Sequence, residues 1–176
     1  MQLRKINAGI SLLCTVLLLY HAIFLGVCML SKGATAMPLS QAAWALMGLM
    51  VLHGFISIFQ GVSAHSETET NPGRQYPKLN RATMIQRISG ILLFVFAALH
   101  VAGTVGLMQP PQVVHAILPP LFFTIALLHT AVSSSKALIT LGIGSAKAIK
   151  VADRVIKVLC VVTLIADITG FYLFVC

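Results

Sequence analysis

The chain has 176 residues, of which 58% are hydrophobic and 9% charged, and it carries a net charge of +8. Too few polar residues remain to cover a water-facing surface, which excludes an ordinary soluble domain. The basic residues are divided among the connections between apolar segments and form no single patch, so the charge does not point to nucleic acid.

Five apolar segments are predicted at roughly 8–31, 40–62, 86–108, 112–134 and 152–175, each long enough to cross a bilayer core of ~30 Å. Backbone polar groups in lipid must be satisfied internally, so these spans are read as helices. The alternation of a membrane barrel is absent. The fold class is therefore an all-α integral membrane protein, one domain over 1–176, whose first four spans form a bundle.

Span one carries His21. Basic residues and a small-residue site at Ala34-Thr35-Ala36 give the N-terminal region the outline of a secretory signal. Its apolar run is too long for one, so a retained first span is expected. A short loop through Lys32, Gly33 and Pro38 leads to span two, which holds Trp44 near one interface and His53 deeper in. The connection 63–85 is the longest polar stretch, with turns at Asn71-Pro72-Gly73 and Tyr76-Pro77. Span three opens at Gln86-Arg87-Ile88-Ser89-Gly90 and carries His100. Pro110-Pro111 form the next turn. Span four holds His129, with Pro119-Pro120 expected to kink it or mark its start. Gly142-Ile143-Gly144 and a basic stretch to Lys157 follow, part of which is expected to form an interfacial helix. Span five holds Asp167 and no histidine.

Arg4, Lys5, Arg74, Lys78, Arg81, Arg87, Lys136, Lys147, Lys150, Arg154 and Lys157 all fall on one side of these spans; only Lys32 falls on the other. This asymmetry predicts a cytoplasmic N-terminus and an external C-terminus. Cys14, Cys28, Cys160 and Cys176 form no C-x-x-C pair and are read as packing residues, with a Cys28–Cys176 disulfide open on topology alone.

One histidine inside a span is more often a helix contact than a ligand. Four, in four successive spans, are a different pattern, because ionisable groups in lipid are costly. At ~1.5 Å per residue, His21 and His100 both lie ~20 Å from the cytoplasmic boundary, and His53 and His129 lie at ~10 Å or less. Spans one and three are diagonal in an up-down bundle, as are two and four. Each diagonal pair can therefore clamp one flat ligand, and bis-imidazole haem fits. A bare metal ion on two imidazoles would be under-coordinated. Gly26, Gly54, Gly90 and Gly103 either leave room for porphyrin or mark close helix contacts. His65 and His115 fall outside both layers.

These residues resemble a known family over nearly the full length. The chain looks like the five-helix, dihaem cytochrome b membrane subunit of succinate:menaquinone oxidoreductases and quinol:fumarate reductases. The most specific match is Gln86-Arg87-Ile88-Ser89-Gly90 with His100 thirteen residues after the arginine. Asn71-Pro72-Gly73-Arg74-Gln75-Tyr76 and Thr140-Leu141-Gly142-Ile143 resemble further family stretches. The resemblance implies two b-type haems, His53 with His129 on the proximal one and His21 with His100 on the distal one. It implies a cytoplasmic iron–sulfur subunit and a flavoprotein acting on succinate or fumarate, with FAD and clusters on those chains only. It implies menaquinone as membrane substrate and a bacterial cytoplasmic membrane as location. Some members carry a membrane glutamate near the distal haem; this chain has none in any span.

Arg87 is a candidate partner for a haem propionate or a quinone oxygen, against a plain topological anchor. Lys136, seven residues past His129 on the same face, is a second propionate candidate. Ser89 is a candidate for a haem edge or for its own helix backbone. Asp167, predicted ~22 Å up span five, is the candidate for proton exchange with quinone, against a helix–helix hydrogen bond. The alternatives to the leading reading are a dihaem anchor for a different quinone-linked dehydrogenase and a non-redox proton carrier or channel.

Overall fold

The computed structural model describes the backbone of residues 2–31, 37–70, 81–108 and 112–175, and side chains are described there except at 37–40, 62–70, 82, 104, 112, 113, 115, 174 and 175. Five helices make up the fold: α1 (Gln2–Leu30), α2 (Met37–Thr70), α3 (Arg81–Thr104), α4 (Gln112–Leu141) and α5 (Ala146–Val175). All five are long and apolar enough to cross a membrane. Most of their large apolar side chains face outward, among them Phe55, Ile58, Ile91 and Val161, as expected where the surrounding medium is itself hydrocarbon.

The helices extend beyond the predicted spans. α1 starts at Gln2 and takes in Asn7, which the sequence-based boundary at residue 8 leaves outside. α2 continues through Ser63–Thr70, so the polar connection predicted at 63–85 is helical at both ends. Polar residues are compatible with a helix that simply projects past the apolar layer. The predicted turns at Asn71-Pro72-Gly73, Tyr76-Pro77 and Pro110-Pro111, the Lys32 loop and Cys176 lie outside the described residues, as do the His65 and His115 side chains.

α4 runs unbroken through Pro119 and Pro120. Each proline removes one backbone donor, leaving the carbonyl four residues earlier without its helical partner; Thr124 Oγ1 separately donates to the Pro120 carbonyl at 2.8 Å. The stretch to Lys157 is no separate interfacial helix but the first third of α5. Its start is sharp because Gly142 (φ 70°) ends α4, with Gly142 N–H on the Ile139 carbonyl and Ile143 N–H on that of Leu138. This double bond pattern needs a left-handed residue and so favours glycine. Ser145 then caps α5, its Oγ accepting from the Ala148 N–H at 3.3 Å.

α1, α2, α3 and α4 form a ring in chain order that closes where α4 meets α1. The α2–α3 side is only sparsely joined, and the diagonals α1–α3 and α2–α4 make no close backbone approach among the described residues. α5 lies outside the ring, against α1 and α4. Its seam with α1 is built from small residues: Gly26 lies under Asp167 and Ala166, and Gly170 under Met29. Small residues let helix backbones approach where no hydrophobic force draws them together. A Cβ at Gly170 would sit 2.9 Å from the Met29 Cβ.

Gly170→Val should therefore destabilise the detergent-solubilised protein by about 1–3 kcal/mol, the usual cost of overpacking. Gly48, with open space around it, should tolerate Gly48→Ala with no loss of thermal midpoint.

Candidate functional site

Each of the first four helices contributes one of the histidines His21, His53, His100 and His129 to the bundle. His21 and His100 stand within electrostatic reach of each other, and so do His53 and His129. These are the diagonal pairs, on helices whose backbones do not touch. The members of each pair thus come from diagonally opposite helices of the ring. Among the described residues no third His, Cys, Asp or Glu completes a metal-ligand group at either pair.

The pairs occupy two levels. Leu93, Ile125 and Ala126 form an apolar cluster with Leu18, Met50, Phe96 and Phe122. Leu18 precedes His21, and Met50 precedes His53 on the antiparallel helix, so the cluster separates the levels. Asn7 meets His53 and Ser89 meets His129. Fourteen residues on α1 and eleven on α3 lead from these to His21 and His100, so the levels lie about 16–21 Å apart at ~1.5 Å per residue. Span boundaries alone predict a separation of ~10 Å or more; α1 begins before the assumed start of span one.

The level nearer the basic helix ends, the basal level, is tied down by hydrogen bonds. His53 Nδ1 lies 2.9 Å from Asn7 Oδ1. The Asn7 amide nitrogen donates to Ser57 Oγ at 3.0 Å. Its oxygen therefore faces the ring and can only accept, so Nδ1 carries the proton and donates. His129 Nδ1 lies 3.1 Å from Ser89 Oγ, and that hydroxyl donates to the Gln86 carbonyl at 3.2 Å. His53, with Nδ1 protonated, is left with an unprotonated Nε2, while donor and acceptor in the Ser89–His129 contact depend on the His129 tautomer. Gly90 makes room for the His129 ring: a Cβ there would sit 3.1 Å from His129 Cε1.

The far level is held differently. His21 Nδ1 is buried without a hydrogen-bond partner among the described residues. The His100 ring stacks on Phe122, centroids 5.2 Å apart, and is the most exposed of the four.

Below the basal pair, Lys136 reaches from α4 to α3 and donates to Gln86 Oε1 at 2.7 Å and Thr83 Oγ1 at 3.0 Å. It stands within electrostatic reach of Arg87, which is exposed. Ser89, 4% exposed, bonds both its own helix backbone and His129. Asp167 is fully buried, and neither carboxyl oxygen has a hydrogen-bond partner among the described residues. It packs on Gly26, five residues past His21. That position is about 7 Å further along α1 and about 140° around it. Asp167 therefore occupies the α1–α5 seam, and the bundle interior between the imidazoles lies on another side of α1. Of the remaining predicted glycines, Gly54 lies against the Phe94 ring and Gly103 in open space. Cys14 and Cys160 are free thiols within helices, half-buried and buried.

Sequence reasoning missed Asn7 and Ser57. A polar amide one turn into an apolar helix was a visible signal, but the predicted boundary excluded it. The pairing of Ser57 with it depends on helix contacts.

No family model, curated protein or solved structure matches this chain.

Lys136→Met removes two charge-assisted bonds between α3 and α4 and should cost about 1–3 kcal/mol in denaturant unfolding. Lys147→Met, at an exposed position, should stay within about 0.5 kcal/mol of the parent.

Proposed function

We propose that this chain is a membrane cytochrome b that carries two haems, each between two diagonal histidines, and passes electrons between a partner at its basic face and a quinone in the bilayer. What supports the reading is the placement of four histidines on four successive helices of an apolar bundle, with diagonal partners within electrostatic reach and hydrogen bonds at His53 Nδ1 and His129 Nδ1.

The residues fit the group. A neutral imidazole nitrogen is a good ligand for haem iron. Two axial nitrogens suffice when a porphyrin supplies the equatorial four, whereas a bare ion on two imidazoles would be under-coordinated. The second ring nitrogen of a liganding histidine is ordinarily committed to a hydrogen bond, as in His53 and His129. The sparsely joined α2–α3 side supports lateral access to the ring interior. When bound, haem iron supplies reversible one-electron transfer. His53 and His129 would hold the basal group, and His21 and His100 the far one. Arg87 and Lys136, at the basic end of the basal level, would neutralise the carboxylates of a porphyrin edge. The apolar cluster around Leu93 and Ile125 would exclude water between the two levels. Asp167, a buried carboxyl without a partner, is the candidate for exchanging protons when quinone is reduced or oxidised.

The basic end would face the cytoplasm. There the resemblance to dihaem succinate:menaquinone oxidoreductase and quinol:fumarate reductase subunits supports an iron–sulfur protein and a flavoprotein as partners, with menaquinone as the membrane substrate.

Pyridine haemochrome analysis of the purified protein should give two b-type haems per chain, and none would end the proposal. His53→Ala and His129→Ala should each reduce the count from two to one. Retention of both haems in either variant would overturn the pairing. Copurification with a flavoprotein that turns over succinate or fumarate would identify the proposed partner, and a different flavoprotein would redirect the substrate.

A further inference from the structure

Asn7 lies on α1, 8% exposed, and its amide bridges two residues one turn apart on α2. The nitrogen donates to Ser57 Oγ and the oxygen faces His53 Nδ1. A polar clamp on one nitrogen of one imidazole has a chemical consequence: it selects the tautomer and makes the opposite nitrogen a stronger donor. At His129 the same ring nitrogen meets a different residue type from a different helix, Ser89 on α3. His21 has no such acceptor at Nδ1 among the described residues. His53 and His21 therefore differ in what holds Nδ1.

We infer that Asn7, with its amide oriented by Ser57, is a positioning residue that holds His53 with Nδ1 protonated and thereby lowers the reduction potential of the group held at His53 Nε2. The inference rests on the reading of the histidine pairs as haem ligands. An acceptor on Nδ1–H draws the ring toward imidazolate character, a more basic ligand favours the ferric over the ferrous state, and the potential falls. Removing the acceptor reverses this.

The test is a redox titration of the full chain, followed by its haem absorbance, with haem content measured in parallel. Asn7→Leu, close in volume but without an acceptor, should keep two haems per chain and raise the midpoint potential of one while the other stays put. Asn7→Asp retains an acceptor oxygen and should leave that potential at or below the parent value. Two haems with both potentials unchanged in Asn7→Leu would overturn the inference and leave the haem reading standing. An upward shift in Asn7→Asp equal to that in Asn7→Leu would also overturn it, since packing alone would then be responsible. If Asn7→Leu loses a haem, Ser57→Ala decides, because it leaves Asn7 in place. A smaller upward shift of the same haem supports the inference, and no shift overturns it. A parent protein without haem would bring down the reading beneath it.

Discussion

An imidazole inside an apolar helix bundle must find a partner for its N–H or remain costly to bury, and the basal half of this protein is arranged around that requirement. His53 on α2 is satisfied from α1 by Asn7, and His129 on α4 is satisfied from α3 by Ser89. Each bond crosses a helix pair, so each sets the relative height of two helices. Lys136, bonded to Gln86 and Thr83, repeats the α3–α4 tie two turns further toward the basic end. The other two histidines, His21 and His100, lie at a second level, with apolar side chains between the levels.

The seams are not all of one kind. Polar bonds join α1 to α2 and α3 to α4. The α1–α5 seam is made by close approach at Gly26 and Gly170, which the bilayer favours because burial of larger apolar groups gains little there. The α2–α3 side is left nearly open, and the diagonals are held apart. Asp167 belongs to a different part of the molecule, the α1–α5 seam, despite a height close to that of the far histidines.

Haem potentials in such a bundle would depend on what lies beyond the liganding nitrogen. His53 and His129 have hydrogen bonds at Nδ1, whereas His21 Nδ1 has no partner among the described residues and the His100 ring stacks on Phe122. Under the proposed function, Asn7 and Ser89 would make the two groups unequal from outside the proposed ligand set.

Five apolar helices were legible in the sequence, because hydropathy depends only on residue order. The proposed pairing of His21 with His100 and His53 with His129 rests on helix rise and chain parity, which also depend only on residue order. Helix ends were not legible: polar residues at Gln2–Asn7 and Ser63–Thr70 read as connection, while a helix projecting beyond the apolar layer tolerates them. Neither were Asn7, Ser57 and the reach of Lys136, nor the face of α1 on which Asp167 lies. Those depend on which sides of two helices meet, and that is decided by side-chain packing between segments distant in sequence, where a rotation of one helix by a single residue turns a contact away.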